Sequence, residues 1–429
     1  MIGIDPRATV QRCAACGHEL AETDPRQRCP QCSGLLEIRH PTPAATGAAL
    51  RALLDARCGN RAGPFSSGVW RFRELVLPGA GDDVLSYPEG NTPLLASAAV
   101  AHWAGAPELL LKHEGQNPTG SFKDRGMTVG VTQARRVRAR AVACASTGNT
   151  AAALAAYAAL AALPALVLVP KGKVALGKLT QALAYGARTL LVRGNFDDCL
   201  ELADQASERL GVYLLNSVNP FRLEGQKTIV LELLQQLGWE PPDWIVLPAG
   251  NLGNTAAFGK ALEEARAWGL TERTPRLAAV QAESAAPFAQ SFQEGFAQRR
   301  RVQPHTLATA INIGNPVSYE RAARAIRDTN GVVTTVSDDE ILEAKAVVDG
   351  AGIGCEPASA AAPAGVRRLI GEGVIRPSDR VVAVLTGHVL KDPEIVTRYH
   401  QELEPRPARA NRPIEIEARL TEVERVMGG

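Results

Sequence analysis

The stretch Glu114-Gly115-Gln116-Asn117-Pro118-Thr119-Gly120-Ser121-Phe122-Lys123-Asp124-Arg125-Gly126 turns once and then enters a helix. Asn117-Pro118-Thr119-Gly120 is a turn signal, and Ser121 is suited to cap the helix that follows. Lys123 falls in the first helical turn, beside a loop of small residues. The positive end of a helix dipole disfavours the ammonium there and favours the neutral, nucleophilic amine. A lysine alone at such a place is ordinarily a solvated surface group. Its surroundings decide otherwise.

On both sides of this stretch, short apolar runs alternate with helical patterns. Strands are expected at Leu109–Lys112, Ala141–Ala145, Ala165–Val169, Thr189–Val192, Trp244–Pro248, Leu277–Gln281 and Val381–Leu385. Helices are expected at Thr150–Ala162, Lys178–Ala184, Gly225–Leu237 and Thr255–Trp268. This alternation predicts an α/β chain of parallel sheets with helices on both faces. Ala151 to Val169 carries no charge and approaches the length of a membrane span. Pro164 divides it into an Ala-rich half and a Leu- and Val-rich half, which predicts a helix followed by a buried strand.

With 429 residues the chain has room for two or three domains. Its 47 basic and 45 acidic residues leave a formal charge of +2, which gives no electrostatic reason to expect nucleic acid or an anionic membrane as partner. The expected partner is a small molecule. The first twenty residues lack the apolar core of a signal peptide. Cys58, Cys144, Cys199 and Cys355 lie scattered in small or apolar surroundings and read as free thiols of a reducing cytoplasm.

The other four cysteines make Cys13-x2-Cys16 and Cys29-x2-Cys32, on two tight knuckles twelve residues apart. Such knuckles offer two thiolates each and together complete a closed, structural Zn²⁺ site. A redox pair or unrelated thiols are the alternatives. Residues 1–40 are therefore expected to form a zinc-ribbon-like module, 41–69 a linker with a short helix, and 70–400 the main body. After it, 401–429 is a charged tail with a surface helix at Pro413–Met427.

Three loops of the body carry candidate chemistry. Gly250-Asn251-Leu252-Gly253-Asn254-Thr255 follows an expected strand and opens an expected helix. Its N–H groups are suited to cradle a phosphate, although an ordinary glycine turn reads the same way. Ser146-Thr147-Gly148-Asn149-Thr150 has the same setting and suits a carboxylate, or simple N-capping. Thr386 ends an apolar strand before Gly387 and either meets a ligand or caps a turn.

The segment around Lys123 resembles the cofactor-lysine motif of fold type II pyridoxal-phosphate (PLP) enzymes, the tryptophan-synthase-β-like group. Its wording Asn117 to Met127 is similar to that of the threonine synthases among them. Further resemblances follow in order: Pro88-Glu89-Gly90-Asn91-Thr92-Pro93-Leu94, Ala145 to Thr150, Leu223-Glu224-Gly225-Gln226-Lys227-Thr228, Pro248 to Asn254, and Leu385-Thr386-Gly387-His388. Each is short, but together they span nearly three hundred residues. The resemblance implies two parallel-sheet, three-layer domains, the smaller one at about 123–218 inserted in the larger, and a homodimer.

It also implies roles. Lys123 would carry PLP as a Schiff base. Gly250, Asn251, Leu252, Gly253 and Asn254 would hold the cofactor phosphate, Asn149 its 3′-oxygen, and Thr386 would face the ring nitrogen, leaving it largely unprotonated. Ser146, Thr147 and Thr150 would take the substrate carboxylate. Ser217 and Arg222, in Asn216-Ser217-Val218-Asn219-Pro220-Phe221-Arg222, would take the phosphate of O-phosphohomoserine, with Asn251 assisting and Lys173 a further candidate. Asn312 stands where many relatives have Arg or Gln, and Val389 where many have Gly. The implied activity is γ-elimination of phosphate followed by addition of water. Two rivals remain at this stage. One is a cysteate synthase or serine/threonine dehydratase, and the other is a zinc-ribbon binding protein on a degenerate enzyme body.

Overall fold

Most of the apolar runs become strands whose Val, Leu and Ile side chains are covered on both faces, as in buried parallel sheets, while the edge strand Arg188–Val192 leaves Leu190 and Leu191 exposed. The computed structural model describes residue 5 and residues 8–172 and 179–427. Along the chain the strands are β1 (Val10–Cys13), β2 (Glu19–Ala21), β3 (Leu36–Arg39), β4 (Leu94–Ala96), β5 (Leu109–His113), β6 (Ala141–Ala145), β7 (Ala165–Pro170), β8 (Arg188–Val192), β9 (Val212–Leu214), β10 (Trp244–Pro248), β11 (Arg276–Ala282), β12 (Val332–Val336) and β13 (Val381–Leu385). They form three sheets with orders β2-β1-β3, β12-β11-β10-β13-β5-β4 and β8-β7-β6-β9.

The four-stranded sheet is parallel throughout. The six-stranded sheet is parallel except at one edge, where β4 pairs antiparallel with β5. At that edge the short helix Ala98–Ala104 joins Leu94–Ala96 to β5, and the two strands run antiparallel within an otherwise parallel sheet. The uncharged stretch splits as expected, into the helix Asn149–Leu160 and β7. Among the described residues no helix is long and apolar enough to cross a membrane.

Two helix starts differ from expectation. The helix expected from Gly225 begins five residues earlier and runs Pro220–Gln236; Asn219 caps it, accepting from Phe221 N at 3.0 Å, with Pro220 in the first turn. The tail helix is shorter than expected, Leu420–Met427. Of the expected Lys178–Ala184 helix, Thr180–Ala184 is helical and Lys178 lies outside the described residues.

One contact sets the geometry beneath the site. The helices Lys123–Arg136 and Pro220–Gln236 cross so closely that a Cβ on Gly225 would lie 1.8 Å from the Arg125 carbonyl oxygen. Glycine at 225, with Gly126 opposite, lets Lys123 and Arg222 come from these two helices into one space.

The N-terminal antiparallel sheet docks on the body. Lys260 Nζ donates to Ile38 O at 2.6 Å and Arg321 donates to Leu36 O at 2.7 Å. His40, just past β3, pairs with the buried Glu224 carboxylate at 2.9 Å.

Candidate active site

Lys123, Ser146, Thr147, Asn149, Thr150, Ser217, Arg222, Gly250, Asn251, Leu252, Gly253, Asn254 and Thr386 all line a single cavity of about 1290 Å³. The sequence-derived set is thus brought together. Lys173 lies outside the described residues. Asn312 lines the same cavity, and its Oδ1 is buried without a partner.

Lys123 opens its helix as the first residue. Ser121 does not act as the residue just before the helix; Phe122 takes that position, and Lys123 N reaches the Ser121 hydroxyl at 3.4 Å. The Lys123 amine sits 3.9 Å from the centre of the Phe122 ring. Burial and the nearby Arg222 guanidinium push its pKa down to about 7, against the opposing charge of Glu356. A lysine so placed holds much of its population as the free amine at neutral pH. Next to it, Asp124 is turned away from the cavity and accepts from Thr119 N at 2.7 Å.

The loop after β10 is built around an open helix N-terminus. The helix Gly253–Ala267 has Leu252 at its start in the left-handed region (φ 63°), with no side chain capping the first turn. A Cβ on Gly250 would lie 2.9 Å from Ile311 Cα, so only glycine fits there. Asn254 Oδ1, Thr255 Oγ1 and, from the neighbouring helix, Gln226 Oε1 are buried without partners. The uncapped N–H groups and the unpartnered Thr255 hydroxyl are donors that fit a phosphate. Asn251 is held differently: its Oδ1 accepts from Val317 N at 2.8 Å and its Nδ2 donates to Ser217 Oγ at 3.0 Å.

The N-terminus of the helix Asn149–Leu160 also lacks a side-chain cap. The simple capping alternative for Ser146 and Thr147 is therefore not what the fold adopts. Ser146 Oγ accepts only weakly from Gly148 N, at 3.4 Å. Arg222 is almost fully buried; Nη1 donates to Leu215 O at 3.1 Å and Nε has no partner. Burial brings its pKa down to about 10, which leaves it a cation at neutral pH.

Among the lining residues to which the sequence gave no role are Gln226, Lys391 and Glu356. Gln226 lies inside a quoted motif. Lys391 Nζ donates to Gln181 Oε1, and both line the cavity. Glu356 accepts from Asn149 Nδ2 at 2.8 Å and from the Thr386 hydroxyl at 3.2 Å. Only a helix-start signal, Glu356-Pro357, marks it in the sequence.

Away from the cavity, the Sγ atoms of Cys13, Cys16, Cys29 and Cys32 all lie within 4.8 Å of one another. The shortest approaches are 3.4 Å for Cys13–Cys32 and Cys16–Cys32 and 3.6 Å for Cys16–Cys29. A tetrahedron with Zn–S bonds of about 2.3 Å has edges of about 3.8 Å, so the cluster fits that ion with little movement.

Residues 85–387 match the family described as pyridoxal-phosphate dependent enzyme. The chain is 41% identical to the threonine synthase of Methanocaldococcus jannaschii over 97% of this chain and 99% of that one. It is 46% identical to the threonine synthase of Methanosarcina acetivorans over 90% and 93%. The structure of threonine synthase from Escherichia coli superposes with a TM-score of 0.66 at 19% identity, covering 94% of this chain and 95% of that one, a likeness of fold. The chain belongs to the pyridoxal-phosphate dependent enzymes and, within them, to the threonine synthases.

Proposed function

We propose that the chain converts O-phosphohomoserine and water to threonine and inorganic phosphate at the Lys123 cavity. The observation that carries this is the pairing of two anion sites with one low-pKa lysine. One anion site is the uncapped helix end at Gly250–Asn254, for the cofactor phosphate. The other joins Ser217, Arg222 and Asn251, for the substrate phosphate.

Bound PLP supplies an electron sink for carbanion chemistry. The residues do the rest. Gly250, Leu252, Gly253 and Asn254 would hold its phosphate, with Asn251 adjoining, and Asn149 would donate to its 3′-oxygen. Ser146, Thr147 and Thr150 present hydroxyl and N–H donors to the substrate carboxylate at a helix N-terminus. The freed Lys123 amine takes the α-proton and moves protons at the neighbouring carbons. Arg222 and Ser217 stabilise the departing phosphate, and water adds at the β-carbon.

Phosphate release and threonine formation from O-phosphohomoserine test the proposal directly. Keto-acid formation from serine or threonine, with no phosphate release, would overturn it. Arg222→Leu is expected to lower kcat/KM by about 10²-fold. That is the loss of charge-assisted hydrogen bonds worth about 1.5–3 kcal/mol, at about 1.4 kcal/mol per decade. An unchanged kcat/KM would remove Arg222 from the phosphate site.

We also propose that the four cysteines hold one structural Zn²⁺. Burial opposes ionisation of Cys13, but N–H groups of Cys16 and Ala15 and the Cys32 thiol hold it down to about 6. One thiolate is thus ready for a cation. Elemental analysis is expected to find one zinc per chain. Cys13→Ser is expected to lose it and to melt several degrees lower, about 4 °C or more. Equal melting of the two proteins would refute a structural role. The free thiols suit a reducing cytoplasm, and a symmetric dimer is the expected assembly.

A further inference from the structure

Glu356 touches no solvent to speak of and belongs to none of the motifs that drew attention to the site. It precedes the helix Pro357–Gly371, and its N–H donates to Gly387 O at 3.0 Å. Its carboxyl group lies so close to the backbone after Thr386 that a Cβ on Gly387 would stand 2.3 Å from Glu356 Cδ. One oxygen accepts from Asn149 Nδ2 and the other lies 3.2 Å from Thr386 Oγ1. Thr386 Oγ1 also lies 3.0 Å from Ser359 Oγ, which accepts from Gly387 N at 2.9 Å.

A threonine hydroxyl has one proton and two lone pairs. With Glu356 protonated, Glu356 donates to Thr386 and the Thr386 proton is free to point at a ring nitrogen. With Glu356 ionised, Thr386 donates to Glu356 and offers a lone pair to a protonated ring nitrogen. Both arrangements satisfy every group, and two short proton shifts connect them. The carboxylic proton passes to Thr386 Oγ1 while the Thr386 proton passes to nitrogen. Glu356 ends with one negative charge and the ring with one positive charge, so atoms and charge balance.

We propose that Glu356 shares one proton with the ring nitrogen of the cofactor through the Thr386 hydroxyl. This rests on the reading that Thr386 faces that nitrogen. Glu356 is then a positioning residue, acting on the cofactor through Thr386 and Asn149. The charged and titratable groups around it are Lys123 from its own helix, Lys391 and Asp392 from the segment after β13, and the adjoining Cys355. Burial raises the Glu356 pKa against the Asn149 hydrogen bond, with Asp392 adding to the rise and Thr386 and Lys391 opposing it. The buried carboxyl therefore gives up its proton less readily than a solvated glutamate does. A carboxyl that lends its proton when negative charge develops on the ring would aid turnover without a permanent ring charge.

The test is the ¹⁵N chemical shift of ring-labelled cofactor in the wild-type holoenzyme and in Glu356→Gln, Glu356→Asp and Thr386→Val holoenzymes. The wild-type signal is expected on the protonated side of both the Gln and Val signals, with Asp between. kcat is expected to fall about 10²-fold in Glu356→Gln with little change in KM. Bound-cofactor absorbance verifies that each variant is folded and loaded, and Glu356→Asp serves if the Gln protein does not load. If Thr386→Val moves the signal but neither Glu356 variant does, the proton sharing is wrong and the Thr386 reading stands. If Thr386→Val leaves the signal in place, Thr386 does not face the ring and both fail.

Discussion

Lys123→Ala is expected to abolish threonine formation from O-phosphohomoserine, with phosphate release falling by about 10⁴-fold or more. The substitution removes a nucleophile and a general base together, and general base catalysis alone contributes about 10²–10⁴-fold. The loss should not come from a disrupted fold. Lys123 lies at the first position of its helix, and among the described residues its amine forms no ion pair. The phosphate cup at Gly250–Asn254 is built by other elements, so the variant is expected to retain cofactor reversibly, with an altered absorbance spectrum. Turnover within tenfold of wild type would remove Lys123 from the chemistry. The pH profile of the wild type adds a second reading. Burial and Arg222 bring the amine to about 7, so the base form is lost as pH falls through that value. kcat is expected to drop about tenfold per unit below it. Asp124, which burial pushes up to about 7, would titrate in the same range. An Asp124→Asn protein that keeps the acid limb assigns that limb to Lys123.

Much of this site was legible because its parts lie at strand ends, where short polar words follow long apolar ones. Apolar β10 before Gly250 and β6 before Ser146 announce both anion loops, and the uncharged Asn149–Leu160 helix is marked off from β7 by Pro164. What was missed has a common physical cause. Val332–Val336 lies at the sheet edge, buried only at Val333 and Val336 and interrupted by Thr334 and Thr335, so it carries no distinct apolar run. Asn219-Pro220 is a strong helix start, yet its segment was read for phosphate contacts and not for a helix. Glu356 is more than two hundred residues from Asn149, and only the folded sheet brings β13 and the Pro357–Gly371 helix against the Asn149 loop. Local periodicity cannot report a contact of that kind.

The second large effect lies under the site. Glu232→Ala is expected to destabilise the protein by about 3–5 kcal/mol, read as a lower denaturant midpoint at unchanged slope. The Glu232 carboxylate is fully buried and accepts from Lys112 Nζ at 2.6 Å, Arg125 Nη2 at 2.8 Å and Arg71 Nη2 at 3.0 Å. It also accepts from the backbone N–H of Asn91 at 2.8 Å and of Thr92 at 2.9 Å. This explains why Pro88–Leu94 reads as a motif although it contributes no lining residue to the cavity: its backbone is pinned to Glu232. Removing the carboxylate leaves three cations with Glu114 as their main buried counter-charge, and Arg125 is two residues from Lys123. Burial alone would raise the Glu232 pKa; the charges of Arg125, Lys112 and Arg71 override it and hold it well below the usual carboxylate range. The stabilisation is therefore complete above the unfolded value of about 4.3 and is lost as pH falls below it toward the folded pKa. Wild type and Glu232→Ala should accordingly differ most at neutral pH and converge in acid. A difference under about 1 kcal/mol at pH 7 would mean that the cluster is easily rehydrated and does not anchor the Lys123 helix.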